Sequence, residues 1–319
     1  MKSIHLSIKF LPCVLFFISF CLFQPLLAQK FVIPVLPDTQ CEIASNQSMF
    51  FSQMKWLAKS KDSYNIPIVL HVGDVVDMNN DGQYEIASNG FKLLDDAGIP
   101  YAITLGNHDT GAVGEFDRRP APGDGEINMR ITDKFNKYFP VHRFTAQKAR
   151  YEKDKSDNAC YEFKAGGLNW LILTLEYLPR QEALSWACRI VSEHPSYNVI
   201  VLTHSYLRSD GEIEQKGGYG GVSPQMVYEQ LVKKYKNIRI VLCGHTGSSV
   251  WRDDIGSNGN HIYQILQDYQ GEDYGGGYIR LVEIDVHKKT IAAKMYSPYY
   301  NHTKVDSSKF SFTNVEFIK

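Results

Sequence analysis

The chain has 319 residues, 44% of them hydrophobic and 22% charged, enough apolar material for a substantial core and a composition unlike that of a disordered chain. Its 34 basic groups stand against 35 acidic ones, a net charge of −1, so there is no polycationic character and no nucleic-acid-binding signature. Lys2 and Lys9 precede an apolar run over residues 10–27 that closes on Leu26-Leu27-Ala28. This pattern predicts a cleavable signal peptide over residues 1–28, with Pro12 and Pro25 interrupting any retained anchor. Phe20 is too bulky before Cys21 for a lipid-attachment site. Residues 29–319 are then read as one domain, periplasmic or secreted, without a membrane span once the signal is removed. Loss of Lys2 and Lys9 takes the formal charge from −1 to about −3. Cys41, Cys160, Cys188 and Cys243 remain, without CxxC spacing. Export permits disulfides among them, and three pairings are open.

Short apolar runs rich in β-branched residues follow at 31–36, 66–72, 101–105, 168–175, 199–203 and 238–243, too short for buried helices and read as central strands. Segments of helical period lie between several of them, at 48–59, 81–95, 128–138, 180–193 and 223–234. Ser223 is the expected N-cap of the last, with Pro224 at its first position. This alternation predicts an α/β core with a largely buried sheet. Four further strands, at 250–254, 262–266, 278–285 and 290–296, have no helices between them. They predict added antiparallel strands, forming a second sheet on the first.

Polar residues collect where these strands end, which is where open α/β sheets place their ligands. Asp38-Thr39-Gln40 follows the first strand, Gly73 to Asp77 the second, Gly106-Asn107-His108-Asp109 the third, His204 a later one, and Gly244-His245-Thr246-Gly247 another. Carboxylates, an amide oxygen and imidazoles are ligands for divalent cations, and a carboxylate shared between two cations relieves their repulsion.

In this order the blocks resemble the D-x-H, G-D-x-x-D, G-N-H-[D/E], H and G-H-x-H pattern of the calcineurin-like metallophosphoesterase superfamily, specifically its exported bacterial members with a D-T-Q start. Gly275-Gly276-Gly277-Tyr278 and Tyr296-Ser297-Pro298-Tyr299 extend the likeness toward the C-terminus. The resemblance implies an α/β fold, a four-layer αββα sandwich of two mixed β-sheets flanked by helices. It implies two divalent metal ions (Mn, Zn, Fe, Mg or Ca) bridged by Asp74. Asn107, His204 and His245 would complete one site; Asp38 and the residue two further on, Gln40, would hold the other. His108 would act on the phosphate as proton donor or charge stabiliser, with Asp77 orienting it.

Two departures stand out. Gln40 takes the place of the usual histidine, and Gly247 that of the last histidine of G-H-x-H. The Asp38 site becomes oxygen-only, with Asp38, Gln40 and Asp74, and is expected to bind its cation more weakly than the two-histidine site. The expected reaction is in-line attack of a metal-bound hydroxide on a phosphomonoester or phosphodiester of a small molecule or saccharide. A ligand-binding module with reduced catalysis and a metal-dependent hydrolase of a non-phosphate bond are the alternatives. Arg118 and Arg119 are read as phosphate clamps or solvated loop charges, and residues 206–221, which end on Gly217-Gly218-Tyr219-Gly220-Gly221, as a rim loop.

Overall fold

The structure, a computed structural model, describes residues 29–319. The expected signal peptide lies outside the described residues. In chain order the elements are β1 (Lys30–Leu36), α1 (Gln40–Ser45), α2 (Gln47–Ser60), β2 (Val69–His71), α3 (Asp81–Asp96), β3 (Tyr101–Ile103), α4 (Gly125–Asn128) and α5 (Asp133–Tyr138). There follow β4 (Gln147–Arg150), β5 (Ala159–Ala165), β6 (Leu168–Leu175), α6 (Gln181–Glu193), β7 (Asn198–Thr203), α7 (Pro224–Val227) and β8 (Ile238–Cys243). The C-terminal part is strands, β9 (Ser248–Ile255), β10 (His261–Asp268), β11 (Ile279–Asp285), β12 (Thr290–Ser297), β13 (His302–Thr303) and β14 (Phe310–Phe312), with one 3-10 turn at Asp273–Gly275.

These strands make two mixed sheets. One runs β13-β12-β11-β1-β2-β3, with β14 also on β12; the other runs β4-β5-β6-β7-β8-β10-β9. Alternation along the strands explains the layering. Ile200, Leu202, Ile240 and Leu242 join Phe31, Val35 and Leu70 in the core that also takes Phe50 of α2 and Phe91 of α3. Their neighbours Val199, Val201 and Val241 turn the other way, onto Leu184, Ala187 and Ile190 of α6. The result is helix, sheet, sheet, helix.

The C-terminal strands correct one expectation. They do not build a separate second sheet: β11 and β12 extend the first sheet beside β1, while β9 and β10 complete the second, with β10 parallel to β8. The helix expected at 128–138 is broken into α4 and α5, because the Ile131 carbonyl accepts from Gly111 N and the Thr132 hydroxyl donates to Asp157. Ser223 caps as expected, its Oγ accepting from Met226 N at 3.2 Å. The four cysteines among the described residues, Cys41, Cys160, Cys188 and Cys243, are free thiols, two of them buried. No helix among the described residues is long and apolar enough to cross a membrane.

Candidate metal centre

The parallel strands β1, β2 and β3 of one sheet and β6, β7 and β8 of the other end at the same rim, and the residues that follow them meet there. One ligand atom from each of Asp74, His204 and His245 lies within 4.8 Å of the others. His204 Nε2 is 3.2 Å from Asp74 Oδ2 and 3.9 Å from Asp38 Oδ2, which accepts from His245 N at 3.0 Å. His108 N donates to Asp74 Oδ1 at 2.9 Å, bringing the Asn107-His108 loop to the same carboxylate.

Backbone conformation shapes this convergence. Asp74 (φ 53°) and His245 (φ 74°) both sit in the left-handed region, a conformation costing about 1–3 kcal/mol for residues with side chains, and one that clusters at functional sites. Glycines let the carboxylates lie flat on the neighbouring backbone: a Cβ at Gly106 would meet Asp74 Oδ1 at 2.0 Å, and one at Gly244 would meet Asp38 Oδ1 at 2.1 Å. Gly106→Ala is therefore expected to displace the Asp74 carboxylate and weaken cation binding about 10–100-fold, read by calorimetry; unchanged affinity would contradict it.

Two further residues lock the loops. Asp109 accepts from Val75 N and Val76 N through Oδ1 and from Gly106 N through Oδ2, tying the Asp74 loop to the Asn107 loop. His71 is neutral, since burial and the charge of His204 take it down to about 3. Its Nδ1 accepts from Gly73 N, so Nε2 carries the proton toward Thr39 Oγ1, which in turn donates to the Val75 carbonyl.

Electrostatics set protonation. Burial opposes the Asp74 charge, but the charge of His204 beside it holds the carboxyl well below the usual range. Burial likewise opposes a charged His204, yet Asp74 and Asp38 raise it to about 10. His204 Nδ1 faces the Val72 carbonyl at 2.8 Å, leaving Nε2 as the nitrogen directed at the carboxylates. Burial and the His204 charge take His245 down to about 4, and its Nε2 lies 3.4 Å from the Tyr177 hydroxyl.

Four buried polar atoms of the expected ligand set have no hydrogen-bond partner: Asp38 Oδ1, Gln40 Oε1, Asn107 Oδ1 and His204 Nε2. Leaving a buried polar group unmade costs about 1–3 kcal/mol, so four together approach the whole stability of an ordinary domain, about 5–15 kcal/mol. Divalent cations would supply the missing partners, and a set of carboxylate, amide and imidazole donors fits them.

Gln40 opens α1, and its amide is turned to Gln270, to which Nε2 donates. His108 is oriented by the Asp77 carbonyl, to which Nδ1 donates at 2.6 Å; the Asp77 carboxylate is 4.0 Å from that nitrogen and faces Arg118 Nε at 2.8 Å. Arg118 also reaches Cys41 Sγ at 3.8 Å and so lies across the rim, whereas Arg119 N only closes a turn on Asp117. Tyr177, which follows β6 and packs on His204 and His245, was not signalled by any motif. Tyr219 of the glycine-rich loop packs on Tyr177, and its carbonyl accepts from Arg130. Tyr206 is core, fully buried and bonded to Gln264.

Carboxylate, amide and imidazole groups thus gather at the strand ends of an αββα sandwich, a donor set suited to divalent cations. The chain belongs to the calcineurin-like phosphoesterase family, whose model matches residues 35–249. Uncharacterized protein YvnB of Bacillus subtilis (strain 168) is 29% identical over 273 residues, 83% of this chain and 20% of that protein, so the chain spans about a fifth of that curated relative. Purple acid phosphatase PPD1 from yellow lupin (Lupinus luteus) seeds shares the fold with a TM-score of 0.54 at 13% identity, over 89% of this chain and 54% of that one. A dimetal phosphatase from Danio rerio does so with a TM-score of 0.51 at 11% identity, over 89% and 98%.

Proposed function

We propose that this chain hydrolyses a phosphate ester, monoester or diester, of a small molecule or saccharide, and that it meets this substrate outside the cytoplasm, as the signal-like residues 1–28 suggest. The observation that carries the reading is the position of His108: its main-chain N–H holds Asp74 while its imidazole is fixed separately, by the Asp77 carbonyl. A module that only binds has no use for an oriented imidazole at the rim of its cation site.

When bound, two divalent cations neutralise phosphate oxygens and acidify a coordinated water. Asp74 would be shared between them, with Asn107, His204 and His245 on one and Asp38 and Gln40 on the other. His108 keeps its Nδ1 proton on the Asp77 carbonyl; as an imidazolium it carries a second proton on Nε2, which passes to the departing oxygen and leaves the neutral imidazole. Asp77 in turn engages Arg118, placing a guanidinium beside the position of the ester's anionic oxygens.

Gln40 and Gly247 favour a second reading, a ligand-binding module in which one cation site has been reduced. Chromogenic phosphomonoester and phosphodiester assays separate the two. Turnover that is abolished by EDTA and restored by Mn²⁺ is expected; a protein that binds cations yet turns over neither ester class would favour the binding module.

A further inference from the structure

The second cation site is short of ligands if only Asp38, Gln40 and Asp74 serve it, because hard cations take about six or more oxygens, of which water supplies only part. A further strand end lies beside it. β10 runs parallel to β8, with Leu266 opposite Cys243, and antiparallel to β9, with Asp268 opposite Ser248, so Asp268 ends β10 beside Gly247. Asp268 is 2% exposed. A Cβ built on Gly247 would come 3.9 Å from Asp268 Oδ2, so this carboxylate reaches the place where a side chain at 247 would begin.

A chain of amides joins it to Gln40. Gln270 Nε2 donates to Asp268 Oδ2 at 3.1 Å, and Gln270 Oε1 accepts from Gln40 Nε2. The carboxylate only accepts, and this sets the direction of the whole chain: Gln270 must turn its nitrogen to Asp268 and its oxygen to Gln40. Gln40 must then spend its nitrogen on Gln270, which leaves Oε1 buried and without a partner. Asp38 Oδ1 is likewise buried and unpartnered, and Asp268 is the strongest charge acting on Asp38. A cavity of about 440 Å³, lined in part by Gly247, Asp268 and Lys304, opens on the same carboxylate.

We propose that Asp268 is a ligand of the second cation, taking over from the histidine missing at 247, and that through Gln270 it presents the Gln40 amide oxygen to the same ion. Resting on the dinuclear reading above, this makes the site a group of three carboxylates and one amide oxygen, suited to Mn²⁺, Mg²⁺ or Ca²⁺. Asp268 and Gln270 act on the cation, and neither is asked to move a proton.

Mn²⁺ titrations of the purified protein, followed by calorimetry and by electron paramagnetic resonance, test this. The unsubstituted protein is expected to bind two Mn²⁺ and to show the spectrum of a coupled pair. Asp268→Asn is expected to keep the tighter Mn²⁺, to weaken the other at least about tenfold and to lose the coupled spectrum. Gln270→Ala, which removes no ligand, is expected to weaken only the second event. Asp268→Asn and Gln270→Ala titrating like the unsubstituted protein would overturn the assignment, and should Asp268→Asn fail to fold, Gln270→Ala alone decides it. Failure of the dinuclear reading would look different, as an unsubstituted protein binding fewer than two Mn²⁺.

Discussion

Asp74→Asn is expected to reduce phosphoester turnover by at least about 10³-fold and to lower the bound cations from two to at most one per chain, as read by elemental analysis. Three demands meet on this carboxylate. It is placed against His204 Nε2 at 3.2 Å, it accepts His108 N at 2.9 Å, and it lies flat on Gly106, where no larger residue leaves room. Asparagine keeps the size and one acceptor oxygen but loses the charge and the capacity to serve two cations. His204 would also lose the neighbour that contributes most to its raised pKa. A variant with both cations and near-normal turnover would remove Asp74 from the centre of the account.

His108→Ala should behave differently: turnover falls about 10²–10⁴-fold while cation content stays unchanged. The main-chain N–H that holds Asp74 survives the substitution, so the cation site persists and only the imidazole is lost. A proton donor matters most when the departing oxygen is a poor leaving group. The loss should therefore be large for an alkyl phosphate and small for a nitrophenyl phosphate. Equal losses on both esters would argue that His108 stabilises charge rather than donates a proton, and loss of cations with turnover would make it structural.

Much of this centre was legible in the sequence because each expected ligand directly follows an apolar strand. Asp38, Asp74, Asn107, His204 and His245 sit within a few residues of the strand before them, and glycines mark the turns at Asp74, Asn107 and His245. The partition into two sheets was less legible, since β1 to β3 and β6 to β8 have the same buried parallel character and nothing local assigns them to different sheets. β4 reads Gln-Lys-Ala-Arg and shows no apolar signature, and α1 is only six residues long, so neither announces itself. Asp268 was hidden for a topological reason. A run of strands without helices reads as antiparallel, whereas β10 pairs parallel to β8 and thereby delivers its last residue to the same rim. His71 lies inside an apolar run, and only its bonds to Gly73 and Thr39 distinguish it from a residue that merely fills space.

Anomalous diffraction from crystals grown with Mn²⁺ tests the shared-carboxylate centre most directly. Two peaks are predicted with Asp74 between them, one against Asn107, His204 and His245 and the other against Asp38. Peaks that leave Asp74 unliganded, or a single ion held without it, would contradict the account.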